Sequence, residues 1–238
     1  MSDKTPTSPE GAPIEVRPVF REHLGRVLIR CLPDGGRIET MFGHQQAIGM
    51  AGWDGEKCIA QLHCYRLDSP GGSADIWPEW SRPDYVQDII GGSLGIAGPV
   101  WCHACCHVGR SIETFSISDA PDSRYFGRGI GTALCRASVS WAREHGYQAV
   151  IAPGTPDIYE VSQWFGGLPW TTYEKLGFSA VPVEHDDLPD WAKGNCPPEV
   201  MAATKAALAE GRPEKDFHSK QMVLRLKNAL RAVGTLVC

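Results

Sequence analysis

Arg124-Tyr-Phe-Gly-Arg-Gly-Ile-Gly-Thr-Ala-Leu134 sets glycines at 127, 129 and 131 directly before a segment of helical periodicity. Glycine turns tightly and lets a ligand approach the backbone with no Cβ in the way. A helix start leaves amides unpaired and carries the positive end of the dipole. Together these features make a phosphate cradle. Two familiar cradles do not fit. A dinucleotide site needs G-x-G-x-x-G and an acidic residue about 20 positions on, at a strand end. Here Thr132 stands where its third glycine belongs, and the next apolar run ends in Pro153-Gly154. A P-loop needs Gly-Lys-Ser/Thr after the glycines, and that is absent.

Downstream of the glycines, Ile130, Ala133, Leu134, Ala137 and Trp141 line one helix face, with Gly146 as the stop. Tyr147 to Ala152 reads as a buried strand. Pro169 opens a short helix through Leu176, closed by Gly177. Phe178–Val183 is a strand, Pro197-Pro198 opens a helix to about Glu210, and Phe217–Leu226 is a last strand. Upstream, Ile14–Val19 alternates like a strand. Phe20, Leu24, Val27, Leu28 and Cys31 mark a helix over Phe20–Leu32, ended by Pro33-Asp-Gly-Gly36. Gln46–Trp53 and Lys57–Leu67 flank Asp54-Gly55 as a hairpin. Val100-Trp-Cys-His-Ala-Cys-Cys-His-Val108 is a further strand.

This order describes a mixed α/β or α+β sheet in one domain over residues 14–226. Residues 1–13, polar and rich in Pro, Ser and Thr, read as a disordered lead-in, and 227–238 as a C-terminal tail. Two insertions interrupt the domain, at about 68–99 and 109–123. The first carries Trp77-Pro-Glu-Trp80 and reads as an ordered lid. A net charge of −5 with no basic run argues against a nucleic-acid partner. No run approaches the roughly 18 apolar residues of a membrane span, and no signal peptide is visible, so a cytoplasmic location is expected. Nine cysteines, several within apolar runs, read as buried thiols rather than a disulfide framework.

A second signal lies at Tyr173-Glu-Lys-Leu-Gly-Phe178. With the glycine segment, and one helix, one strand and one loop between, it resembles the GNAT superfamily (GCN5-related N-acetyltransferases). The glycines are similar to that family's motif A, [R/Q]-x-x-G-x-[G/A], and Tyr173–Phe178 to its Y-E-K-L-G-F segment. Element order follows the family over Ile14 to Leu226. The resemblance implies the acyl-CoA N-acyltransferase fold, with a central mixed, mostly antiparallel sheet flanked by helices. It further implies acetyl-CoA as acyl donor, its pyrophosphate held by the backbone amides of Gly127, Arg128, Gly129, Ile130, Gly131 and Thr132. The Arg128 side chain would add charge. The pantetheine arm would lie along the free edge of the VWCHACCHV strand at Cys106, His107 and Val108, where an amide polarises the thioester carbonyl. Tyr173 matches the family's general acid for the departing thiolate. With Gly129 and Gly131 as the motif glycines, Phe126 departs from the motif's Arg or Gln; two residues back, Arg124, Gly127 and Gly129 fit it, with the helix start placed less well. Pro153-Gly-Thr-Pro156 lacks the family's frequent Asn.

For the Cys/His run, strict strand alternation puts Cys102 and Cys106 on one face and His103, Cys105 and His107 on the other. Zinc thiolate sites converge from a turn and draw on a second pair, which is absent. No metal is therefore expected, and His103 or His107 is the candidate base for the incoming ammonium. Glu113, Asp122 and Glu160 are weaker candidates. The acceptor cleft is expected from Trp77, Trp80, Trp164 and Trp170, with Asp75, Glu79, Asp157 and Glu160. Aromatic and acidic walls suit a small cationic amine. The expected function is an N-acetyltransferase acting by direct attack on a small-molecule amine, with a homodimer allowed. The rival is a non-catalytic acyl-CoA sensor of the same fold.

Overall fold

The structure is a computed structural model that describes residues 5–27, 35–67, 95–96, 98–110, 121–182 and 187–226. Strand β1 (Glu15–Pro18) is followed by a single 3-10 turn at Arg21–His23, in which His23 Nδ1 accepts from the Phe20 amide. The helix expected over Phe20–Leu32 is thus not formed through its first half, and residues 28–34 lie outside the described set. Helix α1 instead runs from Gly35 to His44, starting where Pro33-Asp-Gly-Gly36 was expected to stop one. Ile38 and Met41 are its buried face. A Pro-Asp pair marks a helix beginning as readily as a helix end, and tertiary packing decided between them here.

Strands β2 (Gly49–Asp54) and β3 (Lys57–Leu67) form the expected hairpin, with Gly55 at φ 57° in its two-residue loop. Strand β4 (Val100–Val108) pairs antiparallel along β3. Helix α2 (Ile130–Glu144) buries Ile130, Leu134, Cys135, Ser138 and Ala142 against the sheet. Strand β5 (Ala149–Thr155) leads into α3 (Tyr159–Phe165), a helix the sequence reading did not place. Gly166, at φ 66°, ends it. A two-residue strand β6 (Leu168–Pro169) then precedes α4 (Trp170–Lys175), β7 (Ser179–Ala180), α5 (Pro198–Ala209) and β8 (Lys220–Arg225). The strand expected over Phe178–Val183 shrinks to β7, extended by the Val181 amide donating to Gln221.

The sheet order is β1-β2-β3-β4-β5-β8-β7, with β6 beside β5. Neighbours are antiparallel except β4–β5 and β5–β6. One core fills the α2 face of the sheet around Leu62, Trp101, Leu134 and Tyr173; another fills the opposite face around α1. Six of the described cysteines are buried free thiols. Residues 5–13, read as disordered from composition, fold back as a turn. Ser8 is fully buried and its amide donates to Ala12 O.

Candidate active site

The site follows from where β4 and β5 part. They pair in parallel only at Val100–Cys102 with Ala149–Ile151, so the later half of β4 is split from β5. At the mouth of this split stands the N-terminus of α2. Its first intrahelical bond is Ala133 N–H to Gly129 O, which leaves the preceding amides without a helical partner. Gly127 and Gly129 both adopt positive φ (69° and 76°). A cleft of about 290 Å³ opens over them, floored by residues 127–132 and walled by Val108, Tyr159 and Leu168. Phe126, in the motif's Arg or Gln position, packs edge-on against Tyr159, ring centroids 5.7 Å apart. An anion held here would rest on backbone donors and the helix dipole.

Arg128 lines the same cleft and also braces the loop. Its Nε donates to Arg124 O (2.6 Å) and its Nη1 to Ser8 O (3.2 Å), tying the N-terminal turn to the glycine loop. Asp122, a weaker base candidate, caps the turn at Ser123–Tyr125 and is paired with Arg124 (2.7 Å). The Arg124 guanidinium holds its carboxyl below the usual range. A carboxylate so held is a poor proton acceptor.

Inside the split lies a strap, Gly166-Gly-Leu-Pro169. The Gly166 carbonyl accepts from the Cys106 amide at 2.7 Å, and Leu168 and Pro169 pair with Gly154 and Thr155 of β5. A Cβ on Gly131 would meet Leu168 Cδ2 at 2.7 Å, so the strap also lies on the start of α2. One on Gly166 would meet the His107 ring at 2.7 Å. Gly166 therefore packs directly on that histidine, and the expected edge residues Cys106, His107 and Val108 do line the split. Sequence reading missed the strap because two residues of β6 carry no periodicity. The Gly166-Gly167 pair was its only signal.

A bulge changes the faces of β4. Cys64 opposes His103 while His63 opposes Cys105, so Ala104 is the extra residue. An added residue resets the alternation. His103 thereby joins Trp101 and Cys106 on the α2 face, while Cys105 faces the other way, onto His63. This corrects the pairing of His103 with Cys105 and His107 on one face. His103 Nε2 is 3.0 Å from Ser138 Oγ, which also accepts from Trp101 Nε1 (2.8 Å). Its Nδ1 is 3.4 Å from the Tyr173 hydroxyl. Burial pushes its pKa down to about 3, so the ring is neutral. It is enclosed beneath α2. His107 keeps the geometry of a candidate base, half-buried at the open end of β4.

Tyr173 is 2% exposed and points onto the same side. Burial, with Cys135 and Cys106 nearby, raises its pKa well above the ordinary phenol value. The hydroxyl stays protonated, as a proton donor requires. Of the expected acceptor-cleft residues, Trp77 and Trp80 with Asp75 and Glu79 lie outside the described residues, as does Glu113. Trp164 is 39% exposed and packs tilted against Phe165 and edge-on against Trp191. Glu160 is on the same helix, α3. Trp170 covers Gly154 and holds Lys220 Nζ 3.3 Å from its ring centroid. Asp157 accepts from Thr171 Oγ1. The four tryptophans therefore do not form one described wall. Among the described residues no group of three or more His, Cys, Asp and Glu could hold a metal ion, and no helix is long and apolar enough to cross a membrane.

His103 also makes stability depend on pH. Its folded pKa is depressed, so between about 6.5 and 3 the unfolded chain binds one more proton and stability falls as pH falls. The full contribution is present above about pH 6.5. Lowering pH from 6.5 to 5 should cost about 2 kcal/mol from this group, at about 1.4 kcal/mol per pH unit. His103→Gln should flatten that slope in urea titrations run at both pH values.

No protein-family model matches the chain, and no curated protein matches its sequence. Solved structures do match. A mosquito arylalkylamine N-acetyltransferase-like protein 5b shares 14% identity at a TM-score of 0.52, over 90% of this chain and 100% of that one. The Drosophila melanogaster polyamine N-acetyltransferase matches at 14% and 0.49 over 90% and 100%, and the GNAT domain of S. lividans PAT at 13% and 0.45 over 94% and 96%. The fold is that of the GNAT superfamily, a mixed sheet split between β4 and β5 and flanked by helices.

Proposed function

We propose that the chain is an acetyl-CoA-dependent N-acetyltransferase whose acceptor is a small-molecule amine. The observation that carries this is the continuity of the glycine cradle with the split strand. Free amides at 127–132 open into a cleft that runs onto β4, where the Cys106 amide already holds a carbonyl oxygen. A pyrophosphate fits the first part. A thioester carbonyl fits the second, in the place that the Gly166 carbonyl takes here. The mosquito protein of this fold, named as arylalkylamine N-acetyltransferase-like, is consistent with an amine acceptor.

Acetyl-CoA supplies the activated acyl group, and the chain's own residues orient it. Backbone donors hold the phosphates, the Cys106 amide polarises the carbonyl, and the protonated Tyr173 hydroxyl is the donor for the departing sulfur. The strap must leave the split before the arm can pair with β4. Tyr173→Phe should lower turnover about 100-fold while leaving CoA affinity unchanged. Thiol release measured over a panel of amines, beside calorimetric titration with CoA, tests this. Unchanged turnover in Tyr173→Phe would remove the acid from this residue, and no turnover of any amine by the wild type would favour a sensor.

A further inference from the structure

We propose that Cys105 is an acyl-accepting nucleophile activated by His63, so that the acetyl group rests on the protein before it reaches the amine; this builds on the acetyl-CoA reading above. Gln61 and His63 lie two apart on β3, on the face away from α2, and Cys105 lies directly opposite His63, in register with the pairs from Ala60–Val108 onward. His63 Nδ1 is 3.2 Å from Cys105 Sγ, and its Nε2 is 2.9 Å from Gln61 Oε1. An amide oxygen only accepts, so Nε2 carries the ring proton and Nδ1 turns its lone pair to the thiol. Nucleophile, base and orienting group are in line, the arrangement by which a weak nucleophile is activated.

Two further observations point to a ligand. Gln61 is 1% exposed, yet its Nε2 has no hydrogen-bond partner among the described residues. Native structures rarely leave a buried donor unpaired, so this amide offers a bond to a ligand oxygen. Cys105 also directly precedes Cys106, whose amide holds a carbonyl in the split. A thioester carbonyl on that amide would be polarised one residue away from the Cys105 sulfur.

In the first step Cys105 gives its proton to His63 Nδ1 and its sulfur bonds to the thioester carbon. The bond from that carbon to the CoA sulfur breaks, the CoA thiolate takes the Tyr173 proton, and the proton held on His63 restores the Tyr173 hydroxyl through solvent. In the second step a neutral amine attacks the S-acetyl carbon, the carbon–Cys105 bond breaks, and the amine proton returns through His63 to the thiolate. One acyl group is transferred and no electrons are exchanged.

The test is to mix full-length wild-type protein with acetyl-CoA in the absence of amine. A stoichiometric burst of CoA thiol and one hydroxylamine-labile acetyl group on the Cys105 peptide, seen by mass spectrometry, are expected. His63→Gln should bind CoA but form the adduct about 100-fold more slowly, and Cys105→Ala should bind CoA with neither adduct nor turnover. Turnover without a burst, an adduct on another cysteine, or full activity in Cys105→Ala overturns the proposal and leaves direct acetyl transfer standing. No binding of acetyl-CoA to the wild type in a thermal-shift assay overturns both. If Cys105→Ala does not fold by circular dichroism, the wild-type burst and the His63→Gln rate decide.

Discussion

The oxidised double variant Thr155→Cys/Gly167→Cys should bind no CoA, and reduction should restore binding. A Cβ built on Gly167 lies 3.8 Å from the Thr155 Cβ, close to the mean separation in natural disulfides. Gly167 takes no left-handed φ, so a cysteine adds no backbone strain there. Its Cβ would meet Thr155 Cγ2 at 2.5 Å, but that atom is removed by the first substitution. The cost is the Thr155–Ser162 hydroxyl bond, 2.7 Å long, worth about 1 kcal/mol. Once closed, the disulfide fixes Gly166 on the Cys106 amide and Leu168 on Gly131, and the split stays filled. Calorimetric titration with CoA, with and without reductant, reads the result directly. Equal affinity in both states would mean that the arm does not use the split, whereas binding in neither state would count against a CoA site.

Much of the architecture was readable because the decisive signals are local. Gly146 and Gly177 stop helices at positive φ, and Ile130 and Leu134 of the expected stripe lie on the buried face of α2, which continues through Cys135, Ser138 and Ala142. Gly55 turns the hairpin one residue later than the Asp54-Gly55 pair suggests, because Asp54 still pairs with Lys57. The glycines at 127 and 129 could be read as a cradle because only the backbone is at work there. What escaped depends on contacts between distant segments. The bulge at Ala104 exists only in the pairing of β4 with β3, so no pattern within Val100–Val108 announces it. It moved His103 under α2 and left Cys105 against His63. The strap depends on β5 and the Cys106 amide, and Arg128 on the carbonyl of Ser8, 120 residues away. Sequence gave the Tyr173 position through resemblance, while its environment (His103, and through it Ser138) came from three separate elements.

Gly129→Val should remove CoA binding while leaving the protein folded. Gly129 caps α2 at φ 76° and ψ 8°, a left-handed conformation that costs an L-residue about 1–2 kcal/mol. For a chain of this size that is a fall of about 2–8 °C in melting temperature. No described atom lies within 4 Å of where its Cβ would be, so the added side chain meets no core. It projects into the open cleft over the unpaired amides, where bulk and phosphate compete for the same space. Gly131 is unsuited to this test, because its Cβ would strike Leu168 and disturb the strap first. Gly129→Ala is the control, since it carries the same backbone strain with less volume. Acetyl-CoA at a hundred times its Kd should stabilise the wild type by about 2.7 kcal/mol. It should stabilise Gly129→Ala in part and Gly129→Val not at all. If alanine and valine lose binding equally, the backbone conformation of the loop holds the phosphates and the free volume above it is secondary. If neither loses binding, the phosphates are held elsewhere, and the glycine cradle serves only to start the helix.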